Sequence, residues 1–229
     1  MADAAIVFDV DGVLLELTRA EEDAFFDTFE TRYGLKNLSR DWNSYRIRND
    51  ENIVEEILQR HGIAPGERAE VISDYLALLK QRLLGKQIET VAVSGAGEML
   101  RKLAPSHALG AATANFRSAA KLRLEQAGFW PVIGSHAFGA EGGGHKREIL
   151  ARAIGSTGCA RSRIVYVGDN LNDVDAGLSN GVHFIGFSTD PKRLTELKKA
   201  GAIHASNNHV ETFRLIGHLL KAGSDQEHN

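Results

Sequence analysis

The chain has little of what several protein classes require. Cys159 is the single cysteine among 229 residues, so no intramolecular disulfide, Cys-based zinc site or CxxC motif is available. No apolar run approaches the ~20 residues of a membrane span. The first apolar segment follows Met1 with no basic region before it and runs straight into Asp9, which is not the pattern of a signal peptide. A formal net charge of −3 gives no electrostatic reason to expect a nucleic-acid or acidic-membrane partner. Nine histidines show no HxxxH or similar ligand spacing, so His107, His136, His145 and His183 read as incidental. Internal repeats and low-complexity tracts are missing too. What remains is an ordinary globular composition, 43% hydrophobic and 25% charged. The length suffices for one sizeable core, or a core plus a smaller insert, and a cytoplasmic location is expected.

What is present is a rhythm. Short apolar runs recur at "AAIVFDV" (4–10), "ALGAAT" (108–113), "RIVYVG" (163–168) and "VHFIGF" (182–187). Weaker candidates lie at "VIGSHAFG" (132–139) and "AIHA" (202–205). Alternation of such runs with amphipathic segments predicts βαβ units and a parallel α/β sheet. Between Glu16 and about Thr90 the rhythm stops, and only helical patterns appear: "EEDAFFDTFETRYG", "DENIVEEILQRHG" and "ERAEVISDYLALLKQRLLG". In the second, Ile53, Val54, Ile57 and Leu58 mark one apolar face, and Gly62 sits where a helix ends. The expected organisation is a core domain of residues 1–15 and 90–229 with an all-helical domain, 16–89, inserted after the first strand. Leu84 to Ser94 forms the return hinge, and the polar tail from Lys221 to Asn229 is expected to fray. Exposed apolar residues in "AFFDTF" or "DYLALL" are either a dimer face or the insert's own core, so a monomer and a homodimer are both open.

In open parallel sheets, ligands gather outside the carboxyl ends of the strands. The first strand delivers Asp9 and Asp11 there, "GAATAN" delivers Thr113 and Asn115, and "VYVGDNLND" delivers Asp169 and Asp173. The loop "GAEGGGHKRE" delivers Lys146 at the opening of a helix. Crowded carboxylates repel each other, and a hard divalent cation removes that difficulty; carboxylate and carbonyl oxygens suit Mg²⁺. The Thr113 hydroxyl, adjacent backbone amides such as those of Ala114 and Asn115, and the Lys146 ammonium would cradle a phosphoryl group. Asp9 is then free to attack phosphorus and Asp11 to handle the proton of the leaving oxygen.

This set resembles the haloacid dehalogenase-like superfamily. The matching residues are "DVDGVL" (9–14), Thr113 after an apolar strand, Lys146, and "GDNLND" (168–173) in the form GDxxxD, in the family's order. The helical insert is similar to the C1-type cap of phosphoglycolate phosphatase-like and β-phosphoglucomutase-like members. The resemblance implies a Rossmann-like, doubly wound sheet of order 5-4-1-2-3. It implies Asp9 as the nucleophile that becomes an aspartyl phosphate and as a Mg²⁺ ligand. Asp11 is then the general acid/base, with its backbone carbonyl on the metal. Thr113 and Lys146 hold the phosphoryl group, Asp169 is a metal ligand, and Asp173 supports it directly or through water. Dehalogenase and phosphonatase members lack an acid at the second position, so Asp11 argues against both.

The chain departs from the family pattern in places. Val13 stands where Thr is more usual and Glu16 where an Asp is expected; "GHKREIL" replaces Lys-Pro-x-Pro, with Arg147 as the alternative cation. Arg48, Asn49 and Asp50 sit where related caps carry "GRTD", which makes Arg48 a candidate for substrate contact beside the plainer reading of a solvated helix edge. The leading expectation is a Mg²⁺-dependent phosphatase of a small phosphorylated metabolite. A phosphosugar mutase shares every core motif. A signalling receiver domain needs an acceptor Asp after the third strand, which "VIGSHAFGAE" does not supply. A catalytically inactive binding protein of the same fold is the remaining alternative.

Overall fold

The computed structural model describes residues 2–226, with side chains to Lys221. The chain opens with β1 (Ala5–Phe8), passes through three helices, α1 (Arg19–Tyr33), α2 (Asp50–Arg60) and α3 (Arg68–Leu84), and reaches α4 (Ala96–Leu103). Then follow β2 (Ala108–Ala112), α5 (Arg117–Gln126), α6 (Trp130–Ile133), β3 (His136–Phe138) and α7 (Lys146–Thr157). The remainder is β4 (Ile164–Gly168), α8 (Leu171–Asn180), β5 (His183–Phe187), α9 (Pro191–Lys199), β6 (His204–Ser206) and α10 (His209–Gln226).

The sheet is parallel, in the order β3-β2-β1-β4-β5-β6. The order implied by the resemblance is therefore present, with β6 added at one edge. Central strands are buried on both faces, which is why "AIVF" reads as an unbroken apolar run. Ile6 and Phe8 pack into one layer with Met99, Leu100, Leu124 and Ile216. Ala5 and Val7 face the opposite layer, with Ile149, Leu150, Ala153 and Val174. Phe8 is level with Ala111 of β2 and Val167 of β4, so the three strands end within one residue of the same height. That register brings the residues just past β1, β2 and β4 to one rim.

The two weak strands are shorter than their apolar runs. Residues Trp130–Ile133 form a helical turn with Pro131 in its first turn, where a fixed φ and a missing N–H are tolerated, and the strand is confined to His136–Phe138. The last strand begins two residues later than "AIHA" suggests. The polar tail, expected to fray from Lys221, keeps a helical backbone to Gln226, and 227–229 lie outside the described residues.

Helices α1–α3 form their own apolar cluster. Phe25, Phe26, Phe29, Ile53, Val54, Ile57, Tyr75 and Leu79 are among its buried members, and it extends onto Phe116, Ala119 and Ala140 beside the sheet. The Phe25 ring lies 5.2 Å from both Phe26 and Tyr75 in edge-to-face contact. The aromatic residues of "AFFDTF" thus fill the interior of the helical insert, and each buried ring stabilises it by about 2–3 kcal/mol. The outgoing and returning segments run side by side, with Glu16 N–H donating to Val91 O (2.8 Å) and Val93 N–H to Leu14 O (3.0 Å).

Candidate active site

A cavity of about 150 Å³ opens where the strand ends meet the underside of the insert. Asp9, Asp11, Thr113, Ala114, Asn115, Lys146 and Asp169 line it from the sheet side. Arg48, Glu21, Glu22, Asp50 and the rings of Phe25, Trp42 and Tyr75 line it from the insert. Asp173 stands behind this wall, fully buried.

The turn after β1 decides where its two acids point. Leu14 and Leu15 N–H both donate to Val10 O (2.9 Å), closing a tight loop, and Gly12 sits in it at φ 77°. A Cβ on Gly12 would lie 2.2 Å from Asp169 Oδ2, so only glycine lets the two acidic loops approach this closely. Asp9 N–H donates to Val167 O of β4 at 2.8 Å, which keeps the residue at the rim while its carboxylate turns inward.

Asp9, Asp169 and Asp173 each offer an oxygen, all within 4.8 Å of one another. Lys146, the first residue of α7, reaches between them, with Nζ 2.8 Å from Asp9 Oδ1 and 3.1 Å from Asp173 Oδ1. Asp173 also accepts from the Tyr166 hydroxyl (2.6 Å) and from Asn170 N–H (3.0 Å), so it anchors Lys146 and the start of α8. Burial, added to the charges of Asp173 and Asp169 and only partly offset by Lys146, raises the Asp9 carboxyl well above the usual range. Burial and the neighbouring Asp173 push Asp169 to about 7. Burial works against the Lys146 ammonium, but Asp173 and Asp9 hold its pKa above the ordinary value.

Three acids share one lysine, and Asn172, which lines the cavity, has its Oδ1 buried with no hydrogen-bond partner. An all-oxygen donor set with surplus negative charge and an orphaned acceptor fits a hard divalent cation such as Mg²⁺.

The second acid has different company. Asp11 Oδ2 accepts from Asn115 Nδ2 (2.8 Å), and Oδ1 accepts from Arg123 Nη2 (2.5 Å). The Asn115 amide thus grips Asp11 rather than standing free for phosphate, and Asn115 N–H donates to Thr113 Oγ1 (3.1 Å). Arg48 is exposed at the cavity mouth. Arg147, the alternative cation, points outward onto Glu148 (3.0 Å), so the lysine is the cation that meets Asp9. The "GGG" segment carries three consecutive positive φ angles, 85°, 67° and 90°, and the Gly144 carbonyl accepts from Asn49 Nδ2 of the insert (2.5 Å). Its glycines serve a turn that seats the insert. Glu16 is exposed and does not border the cavity.

Sequence reasoning passed over Arg123 and Glu21 in this wall and named Asp50 only as part of the match to "GRTD". Arg123 is 2% exposed, and its Nε donates to Glu21 Oε1 (2.7 Å). An arginine in phase with Ala119, Ala120 and Leu124 on the apolar face of α5 was the available signal. Glu21 itself hid in an ordinary acidic first turn, and burial, opposed by Arg123, raises its carboxyl. Asp50 Oδ2 accepts from Phe116 N–H (2.7 Å), and burial pushes its carboxyl to about 8 although that hydrogen bond pulls the other way.

The family model for haloacid dehalogenase-like hydrolases matches residues 4–181. No curated protein matches the sequence. Among solved structures, CbbY from Rhodobacter sphaeroides, determined with phosphate, is 19% identical with a TM-score of 0.72, covering 92% of this chain and 96% of that one. A "predicted phosphatase" from Clostridium acetobutylicum is 18% identical with a TM-score of 0.68, covering 94% and 99%. A HAD family hydrolase from Deinococcus radiodurans R1, with bound phosphate and sodium, is 22% identical with a TM-score of 0.58, covering 95% and 96%. At these identities the likeness is one of fold. Among the described residues no helix is long and apolar enough to cross a membrane.

Proposed function

The chain belongs to the haloacid dehalogenase-like hydrolase family, and from that membership we propose that it is a Mg²⁺-dependent phosphomonoesterase acting on a small phosphorylated metabolite. One observation carries the reading. Asp9 is held at the rim by Lys146 at 2.8 Å and faces the same cavity as Asp11 two residues later. Nucleophile and proton donor then reach opposite ends of one scissile P–O bond. The phosphate in two structural neighbours is the group this reading seats between Thr113 and Lys146.

Asp9, Asp169 and the Asp11 carbonyl would hold the cation, with Asp173 behind them. When bound, it would neutralise the acids and draw charge from the phosphoryl oxygens. An Asp9 oxygen attacks phosphorus, the ester P–O bond breaks, and the alcohol oxygen leaves with a proton from Asp11. The product is an aspartyl phosphate on Asp9. Water then attacks that phosphorus while Asp11 takes back a proton, releasing inorganic phosphate and restoring both acids. Lys146 offsets charge on the transferring group and keeps Asp9 oriented. The insert acts as a cap, its aromatic wall excluding bulk water while the substrate is held.

The test is phosphate release from a broad panel of phosphorylated metabolites, with Mg²⁺ and with chelator, beside an Asp9→Asn control. Release that requires Mg²⁺ and disappears in the control supports the reading and points to the substrate class. Phosphoryl transfer to a sugar phosphate with no net release replaces the phosphatase with a mutase. A folded protein that neither binds Mg²⁺ nor acquires phosphate on Asp9 is an inactive member of the family.

A further inference from the structure

Among the described residues the buried lysine and arginine side chains are Lys146, already placed beside Asp9, and Arg123. Removing a guanidinium from water costs several kcal/mol unless the charge is matched, so Arg123 is not a packing residue. It is matched twice, by Glu21 from the first turn of the insert and by Asp11 from the turn after β1. Each acid is pinned at its other oxygen as well: Glu21 Oε2 accepts from Thr18 N–H (3.2 Å) and Asp11 Oδ2 from Asn115 Nδ2 (2.8 Å). An unbroken polar chain therefore runs from the start of α1 to Asp11, with Arg123 as the link that crosses between insert and sheet.

We infer that Arg123 is a positioning residue that ties the orientation of the Asp11 carboxyl to the seating of the helical insert. Arg123 acts through Asp11 and makes no contact with phosphorus. With the insert seated, Glu21 fixes the plane of the guanidinium, and the guanidinium together with Asn115 fixes Asp11 at the rim beside Asp9. With the insert displaced, Glu21 no longer holds the fork, and Asp11 keeps only Asn115 as a rigid partner. Proton delivery to the leaving oxygen is thereby confined to the state in which the insert covers the cavity. A planar fork is required for this, because two directed N–H bonds set an angle that the point charge of a lysine does not.

The inference rests on the phosphatase reading, and the test separates the two. An aryl ester such as p-nitrophenyl phosphate has a good leaving group and little need of a general acid, whereas a simple alkyl phosphate depends on one. The ratio of alkyl to aryl kcat/KM is measured for the wild type, Asp11→Asn, Arg123→Lys and Glu21→Gln, with thermal unfolding followed for each. The lysine variant keeps the buried charge and the glutamine keeps the shape, so both are expected to fold. The ratio is expected to fall most in Asp11→Asn, by roughly tenfold or more in Arg123→Lys as part of the ~10²–10⁴ that a general acid supplies, and by less in Glu21→Gln. Equal losses on both esters in Arg123→Lys and Glu21→Gln, accompanied only by lower unfolding temperatures, would make Arg123 a structural ion pair and overturn the inference. Absence of Mg²⁺-dependent hydrolysis by the wild type, of both esters and across the metabolite panel, overturns the phosphatase reading itself.

Discussion

The Asp50 carboxyl offers a quantitative test of how the insert is seated. Asp50 is buried at the boundary between insert and sheet, where its backbone N–H donates to Ala114 O (3.0 Å) and its Oδ2 accepts from Phe116 N–H (2.7 Å). Asp11 and Glu141 oppose its ionisation and Arg123 favours it, but burial dominates and moves its pKa from 3.8 to about 8. Across that window the native carboxyl keeps a proton that the unfolded chain has released. The native state then binds more protons, so this contribution to stability is complete near pH 4, declines as pH rises and is gone above about pH 8. At about 1.4 kcal/mol per pH unit, the upper bound is about 6 kcal/mol. Asp50→Asn keeps an acceptor for Phe116 N–H and cannot ionise. Urea unfolding of both proteins between about pH 5 and about pH 9, in chelator, should show the variant gaining on the wild type by up to ~1.4 kcal/mol per unit and surpassing it at the alkaline end. Parallel stability curves would mean that Asp50 is ionised in the native state and that its burial does not govern the seating of the insert.

The acidic cluster predicts that Mg²⁺ raises the unfolding temperature, by the equivalent of about 2.7 kcal/mol at a hundredfold excess over Kd, and that Asp169→Asn abolishes the shift; a wild type indifferent to Mg²⁺ would remove the cation from this site. Gly12→Ala, whose Cβ would meet Asp169 Oδ2 at 2.2 Å with φ at 77°, should lose about 1–3 kcal/mol of stability and the Mg²⁺ response together. An alanine variant with normal Mg²⁺ affinity in a titration would show that the two acidic loops need not touch.

Much of the fold was legible because its signals are local. Central parallel strands are buried on both faces, so β1, β2, β4 and β5 appear as continuous apolar runs. The helices of the insert show their period in "NIVEEIL" and "DYLALL", and the acids after β1 and β4 stand where such a sheet places ligands. Short strands were blurred because three residues of β3 carry too little pattern to separate them from the helical turn begun by Pro131. The sequence places Lys146 first and leaves Arg147 as its alternative, because the two stand side by side. They part only when the helix phase of α7 turns one toward Asp9 and the other toward Glu148. The network around Asp11 is further still from local pattern. Arg123 meets Glu21 across 102 positions and Asp11 across 112, and Asp50 meets Phe116 across 66. Strand and helix patterns arise between neighbours two to four residues apart and survive in the linear sequence. Whether a charge is buried, and which charge answers it, depends on the volume enclosed when the insert lies on the sheet, and that volume exists only in the folded chain.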